Sequence, residues 1–93
     1  MRLNDLCEIK TNFPDADFWL IRKGSEDTVG YPVKEFSPEH IGIKVIETDV
    51  LLPEYLYYVM LNLFNSGIFK NNSYGTLNLK NIRVDDIKGI RLK

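Results

Sequence analysis

Leu52-Pro53-Glu54-Tyr55-Leu56-Tyr57-Tyr58-Val59-Met60-Leu61-Asn62-Leu63-Phe64-Asn65-Ser66-Gly67 decides the architecture of this chain. Proline suits the first position of a helix, where its missing N–H is not needed, and glycine is a favoured stop, so a helix is predicted from Pro53 to Ser66. Leu52, Tyr55, Leu56, Val59, Met60 and Leu63 recur at helical spacing and form a stripe expected to face the core. The reverse side carries Tyr57, Tyr58 and Leu61 among Glu54, Asn62 and Asn65. That second apolar surface is expected to need cover from another element or another protein.

Short strands surround the helix. Upstream, Leu3, Leu6, Cys7 and Ile9 suit one side of a short opening helix lying over a core. The aromatic and β-branched run between Ala16 and Lys23 reads as a strand, and Gly24-Ser25-Glu26-Asp27 as the turn of a hairpin. Gly30 to Phe36 gives the returning strand, with Pro32 favouring an edge or strand-start position, and Ile41 to Ile46 a third. Phe18 and Trp19 alternate, so both cannot face one core, and one of them is expected to be exposed or covered by a partner. Downstream, Phe69 to Thr76 is polar and turn-prone, Leu77 to Val84 alternates like a strand, Asp85 to Lys88 suits one helical turn and Gly89 to Leu92 a last strand. The expectation is one α+β domain over residues 1–93, a small mixed or antiparallel sheet packed around one dominant helix.

Ninety-three residues, 44% of them hydrophobic and 27% charged, suffice for one modest core. No stretch approaches the roughly 20 apolar residues of a membrane span, and the N-terminus lacks an apolar signal core, so a cytoplasmic location is expected and no membrane partner. Cys7 is alone and His40 is the single histidine, which leaves no Cys/His zinc site. Asp15 with Asp17, and Asp85 with Asp86, lack the further ligands a metal needs, and Asp85-Asp86 reads as a helix start. His40 has no nucleophile in a recognisable motif with it. Neither a catalytic constellation, a cofactor motif nor a metal site is expected, so the chain is not expected to be an enzyme.

The net charge of −1 is unevenly spread. Residues 1–69 hold six Lys or Arg against eleven Asp or Glu, and residues 70–93 hold six (Lys70, Lys80, Arg83, Lys88, Arg91, Lys93) against two. The last quarter is therefore the better candidate for phosphate contact.

Three segments resemble one known family. They are Leu3-Asn4-Asp5-Leu6-Cys7-Glu8-Ile9, Leu52-Pro53-Glu54-Tyr55-Leu56-Tyr57-Tyr58-Val59-Met60, and Tyr74-Gly75-Thr76-Leu77-Asn78-Leu79-Lys80-Asn81-Ile82 followed by Asp86-Ile87-Lys88-Gly89-Ile90. In order and spacing they are similar to the target-recognition domains of the specificity subunits of type I restriction-modification systems. The glycine that usually follows the opening motif is replaced around Thr11-Asn12, and the middle is abbreviated. Family members usually carry two such domains joined by long helices that bind methyltransferase subunits and set the half-site spacing. The resemblance thus implies a shortened, stand-alone domain without those helices, binding double-stranded DNA and pairing as a homodimer.

Sequence recognition needs donors and acceptors on a rigid scaffold, with cations holding the phosphates in register. Asn71, Asn72, Ser73, Thr76 and Asn78 supply the first, and Lys70, Lys80 and Arg83 the second, with Arg22 and Lys23 beside the first hairpin turn as a second contact. The alternative reading is a protein-interaction module, an inhibitor or adaptor that binds a methyltransferase or other DNA-processing subunit through Tyr57, Tyr58 and Leu61.

Overall fold

A computed structural model describes residues 1–76 and 78–92. The expected start of a strand at Leu77 and the basic Lys93 lie outside the described residues. The fold is α+β, with two antiparallel sheets and one dominant helix.

The larger sheet contains β1 (Cys7–Thr11), β2 (Phe18–Leu20), β4 (Pro32–Val33) and β5 (Ile41–Val45), in the order β1-β5-β2-β4. Cys7, Ile9, Val45, Ile43, Phe18 and Leu20 are brought to one face by the register Cys7↔Val45, Ile9↔Ile43 and Phe18↔Ile43, and all are buried. Pro32 sits on the edge strand, as its missing N–H demands. Over this face packs α1 (Pro53–Asn65), which buries Leu56 and Met60 and partly buries Tyr57, Val59, Leu63 and Phe64. The Tyr57 hydroxyl donates to the Pro32 carbonyl at 3.3 Å, and its ring meets Phe18 edge-on. Gly67 ends the helix with φ +84°, the left-handed backbone that glycine adopts without strain.

The smaller sheet joins distant parts of the chain: β3 (Lys23–Gly24), β7 (Leu79–Asn81) and β6 (Tyr74–Thr76), in that order. It is anchored by the Ile82 N–H, which donates to the Arg22 carbonyl at 3.0 Å, and by the buried Ile82 side chain. Between α1 and β6 runs α2 (Ile68–Asn72), and α3 (Val84–Lys88) closes the chain, with the Asp86 carboxylate accepting the Arg83 N–H at 3.3 Å.

Several sequence expectations change. Residues 3–9 form a 3₁₀ turn (Leu3–Asp5) and a strand in place of a short helix, although Leu3, Leu6, Cys7 and Ile9 are all buried. Phe18 and Trp19 do point to opposite faces, yet both are buried, because the chain covers Trp19 itself. Its indole N–H donates to the Phe13 carbonyl at 2.9 Å, Phe36 packs edge-on to it, and Gly42, its cross-strand partner, leaves room. The stretch Phe69–Thr76, expected as a turn, contains α2 and β6. Gly89–Leu92 makes only a single bridge, Arg91 to Arg2, rather than a strand.

The largest correction concerns the face of α1. Leu52 and Tyr55, expected in the core, are 64% and 63% exposed, while Tyr57, assigned to the outer face, packs inward. The contact stripe is rotated because the Pro32 carbonyl on β4 and the Phe18 ring on the neighbouring β2 both engage Tyr57. Tyr58 is exposed and Leu61 half-buried.

Candidate nucleic-acid interface

The smaller sheet brings basic, aromatic and amide groups together from two ends of the chain. Residues directly opposite in an antiparallel pair share a face, so the register Lys23↔Asn81↔Tyr74 sets those three side chains side by side. The pair Thr76↔Leu79 extends the same face by one step. Every residue of β6 is exposed, and Leu79, at 76%, is the most exposed large apolar side chain among the described residues. Arg83 follows in the same alternation and lays its guanidinium over the Tyr74 ring, 3.9 Å from the centroid. The ring face attracts the cation and holds it over β6.

Lys80 lies on the opposite face, between Gly24 and Gly75 in the register, and is half-buried. Gly75 has φ +106°, and a side chain there would meet the Leu79 carbonyl, so the tight hairpin requires glycine. Ile82, two residues past Lys80, is the side chain by which the ribbon roots in the core.

The other sequence candidates are placed less favourably for a ligand. Lys70 on α2 faces two carboxylates, Glu26 at 3.8 Å and Asp27 at 3.9 Å. The Arg22 Nε donates to the Glu39 carbonyl at 3.0 Å, tying the two sheets' loops together. Asn72 donates to the Ile68 carbonyl within its own turn, and the Ser73 hydroxyl donates to the Lys70 carbonyl. Asn71 and Asn78 are exposed, Asn71 on α2 and Asn78 at the turn beside Leu79. The structure thus gathers Lys23, Thr76, Lys80 and Arg83 on one ribbon and sets Arg22, Lys70, Asn72 and Ser73 into local contacts.

Two residues of this ribbon escaped the sequence reading, Tyr74 and Asn81. The signal for Tyr74 was its two-residue spacing from Thr76. For Asn81 there was none, since its position depends on pairing with Lys23, which lies far away in the chain.

The acidic pairs serve the fold. The Asp17 carboxylate accepts the Val45 N–H at 2.8 Å, and the Asp15 carbonyl accepts from the Lys44 ammonium. Among the described residues no three His, Cys, Asp or Glu side chains converge as metal ligands do. Burial, reinforced by the charge of Asp17, pushes the Cys7 thiol up to about 11 from its ordinary 9.0. No helix of the described residues is long and apolar enough to cross a membrane.

A second surface lies along α1. Leu52, Tyr55, Val59 and Leu63 form one side of an open groove of about 890 Å³, and Met1, Ile90, Arg91 and Leu92 form the other.

No family model matches the chain, and no curated protein or solved structure matches it.

Proposed function

We propose that this protein is a non-catalytic binder of double-stranded DNA that acts in the cytoplasm and contacts the duplex through the ribbon β3-β7-β6. The carrying observation is the row of Lys23, Asn81 and Tyr74 on one face, Asn81 half-buried between two exposed neighbours, with Arg83 stacked on Tyr74. The major groove of B-form DNA admits a two-stranded β-ribbon such as the hairpin β6-β7, with an amide reading a base edge and flanking cations holding phosphates. Lys23 and Arg83, with Lys80 reaching round from the other face, are the phosphate contacts. Thr76 is a base-edge donor and acceptor, and Asn81, whose amide N–H makes a long 3.5 Å bond to the Tyr74 carbonyl, offers its amide oxygen and remaining N–H. The rest of the surface is acidic on balance, so the duplex approaches from this side alone.

The likeness of three segments to target-recognition domains supports the same reading, since the ribbon contains the third of them. Asn12 supports it too. Its φ of 51° is left-handed backbone, at the place where the opening motif of that family usually carries glycine.

The test is a titration of purified protein with a pool of random-sequence duplexes at low and near-physiological salt, sequencing what is retained. An enriched motif is the expected result. Failure to retain duplex at low salt refutes the proposal.

The exposed groove along α1 favours a second reading, an adaptor or inhibitor seated on a methyltransferase or other DNA-processing subunit. In that reading Leu52 and Tyr55 carry the contact together with Tyr58, since Tyr57 is committed to the core. Under it, Leu52→Asp abolishes partner capture and the ribbon cations are dispensable.

A further inference from the structure

Leu79 is the residue of the ribbon for which neither folding nor phosphate contact accounts. It is the most exposed large apolar side chain among the described residues and is not among the hydrophobic residues packed against the core, which β7 reaches through the adjoining Ile82. Its direction is nevertheless fixed. Leu79 pairs with Thr76 and stands two residues before Asn81, so it shares the face on which Lys23, Asn81 and Tyr74 form a row. No residue of β3, β6 or β7 is acidic, so these strands place no carboxylate on that face.

An isolated leucine on a protein surface needs no explanation by itself. This one occupies the face that meets base edges in the duplex reading, and there an apolar side chain has a definite chemical counterpart. In the major groove the edges of the four bases offer hydrogen-bond donors and acceptors and one apolar group, the C5-methyl of thymine. Over any other edge a leucine would strip water from a polar group without replacing its hydrogen bond, which is unfavourable. Over the thymine methyl it buries apolar surface on both partners. Two strand residues span about 6.8 Å and successive bases rise about 3.4 Å, so the Leu79 contact falls about two base steps from the edge read by the Asn81 amide.

We propose that Leu79 is a specificity-determining residue, which takes the C5-methyl of a thymine and so makes the ribbon select thymine at one position of its site. The inference rests on the duplex reading above and adds to it the chemical group recognised. Asn81 then reads its base by hydrogen bonds, Leu79 reads a neighbouring one by apolar contact, and the cations hold the phosphates.

The test takes the duplex most enriched from the random pool and replaces its thymines, one at a time, with deoxyuridine. Deoxyuridine lacks the C5-methyl and keeps every hydrogen-bonding group. Affinities are measured by fluorescence anisotropy for the native protein, Leu79→Ala and Leu79→Met. In the native protein one replacement weakens binding about fourfold, the worth of one buried methyl group, and the others change little. Leu79→Ala binds the thymine and deoxyuridine duplexes nearly equally, because the shortened side chain no longer reaches, whereas Leu79→Met retains most of the discrimination. Both variants keep the native circular dichroism and urea midpoint, since Leu79 takes no part in the core. Native affinity indifferent to every deoxyuridine, discrimination undiminished in Leu79→Ala, or an enriched motif free of thymine overturns this inference and leaves duplex binding standing. A pool retained without any enriched motif does the same. No retention of duplex at low salt overturns the duplex reading and this inference together.

Discussion

The four-stranded sheet and the three-stranded sheet are made of similar short antiparallel strands, but they spend their side chains differently. In the larger, the α1-facing side is apolar and buried except for the half-buried Thr11 at the end of β1, and even Trp19 on the reverse side is enclosed by Phe13 and Phe36. In the smaller, β6 is exposed throughout, and the row that would form a core in the other sheet is Lys23, Asn81 and Tyr74. The smaller sheet is held by one apolar root, Ile82, and by a backbone bond to Arg22. If the smaller sheet binds DNA as proposed, stability and recognition fall to separate sheets, and substitutions in one leave the other's property nearly unchanged.

The largest effect that can break this division comes from the core. Phe18→Ala removes the ring that packs on Tyr57 and lowers stability by about 3–5 kcal/mol in urea unfolding. A loss below about 1 kcal/mol shows that the larger sheet is not the stability centre. Next is Gly30→Ala. Gly30 has φ +88°, and a Cβ there would collide with the Phe69 ring, so strain and overpacking together cost about 3 kcal/mol. Since Phe69 sits on α2 beside Lys70, this variant also loosens the element that leads into the ribbon.

Cys7 gives a smaller and pH-dependent effect. Its thiol is held protonated up to about 11, above its ordinary 9.0, so the folded state binds that proton more tightly than the unfolded one. The resulting stabilisation is fully present below 9.0 and is lost as pH rises from there through about 11. Urea midpoints of the native chain and of Cys7→Ala should therefore converge across that window. In the folded state, alkylation of Cys7 at neutral pH should be much slower than in urea.

The smallest effects on stability belong to the ribbon. Lys23→Glu and Arg83→Glu should each change unfolding free energy by no more than about 0.5 kcal/mol. Each should also lower the slope of log affinity against log salt by about one. Lys70→Ala should alter neither property appreciably, because exposed ion pairs of this length are worth at most about 1 kcal/mol.

How far the sequence foretold this division follows from the range of the signals. Pro53 and Gly67 bounded α1 almost to the residue because helix starts and stops are written in local chemistry. The strands Phe18–Leu20 and Ile41–Val45 and the edge position of Pro32 were also legible, being runs of β-branched and aromatic residues punctuated by turns. Which side of α1 would be buried was not. Leu52 and Tyr55 fit the helical stripe as well as Leu56 does, and it is the placing of Pro32 on β4 and Phe18 on β2 that turns Tyr57 inward and leaves Tyr55 outside. The cover over Trp19 likewise comes from Phe36 across a long loop. The ribbon was half legible: Thr76, Lys80 and Arg83 announced themselves by charge and alternation, while the pairing of Lys23 with Asn81 is a contact between distant segments that no local pattern encodes.

The central claim is that the exposed ribbon holds double-stranded DNA, and the most direct test is fluorescence anisotropy of a labelled duplex pool, titrated with native protein and with a Lys23→Glu, Lys80→Glu, Arg83→Glu variant. If these three cations are the phosphate contacts, native affinity falls about 40-fold between about 50 and 200 mM salt. The triple variant then folds normally and binds no duplex. Binding by the variant equal to that of the native protein, or native affinity indifferent to salt, contradicts the account.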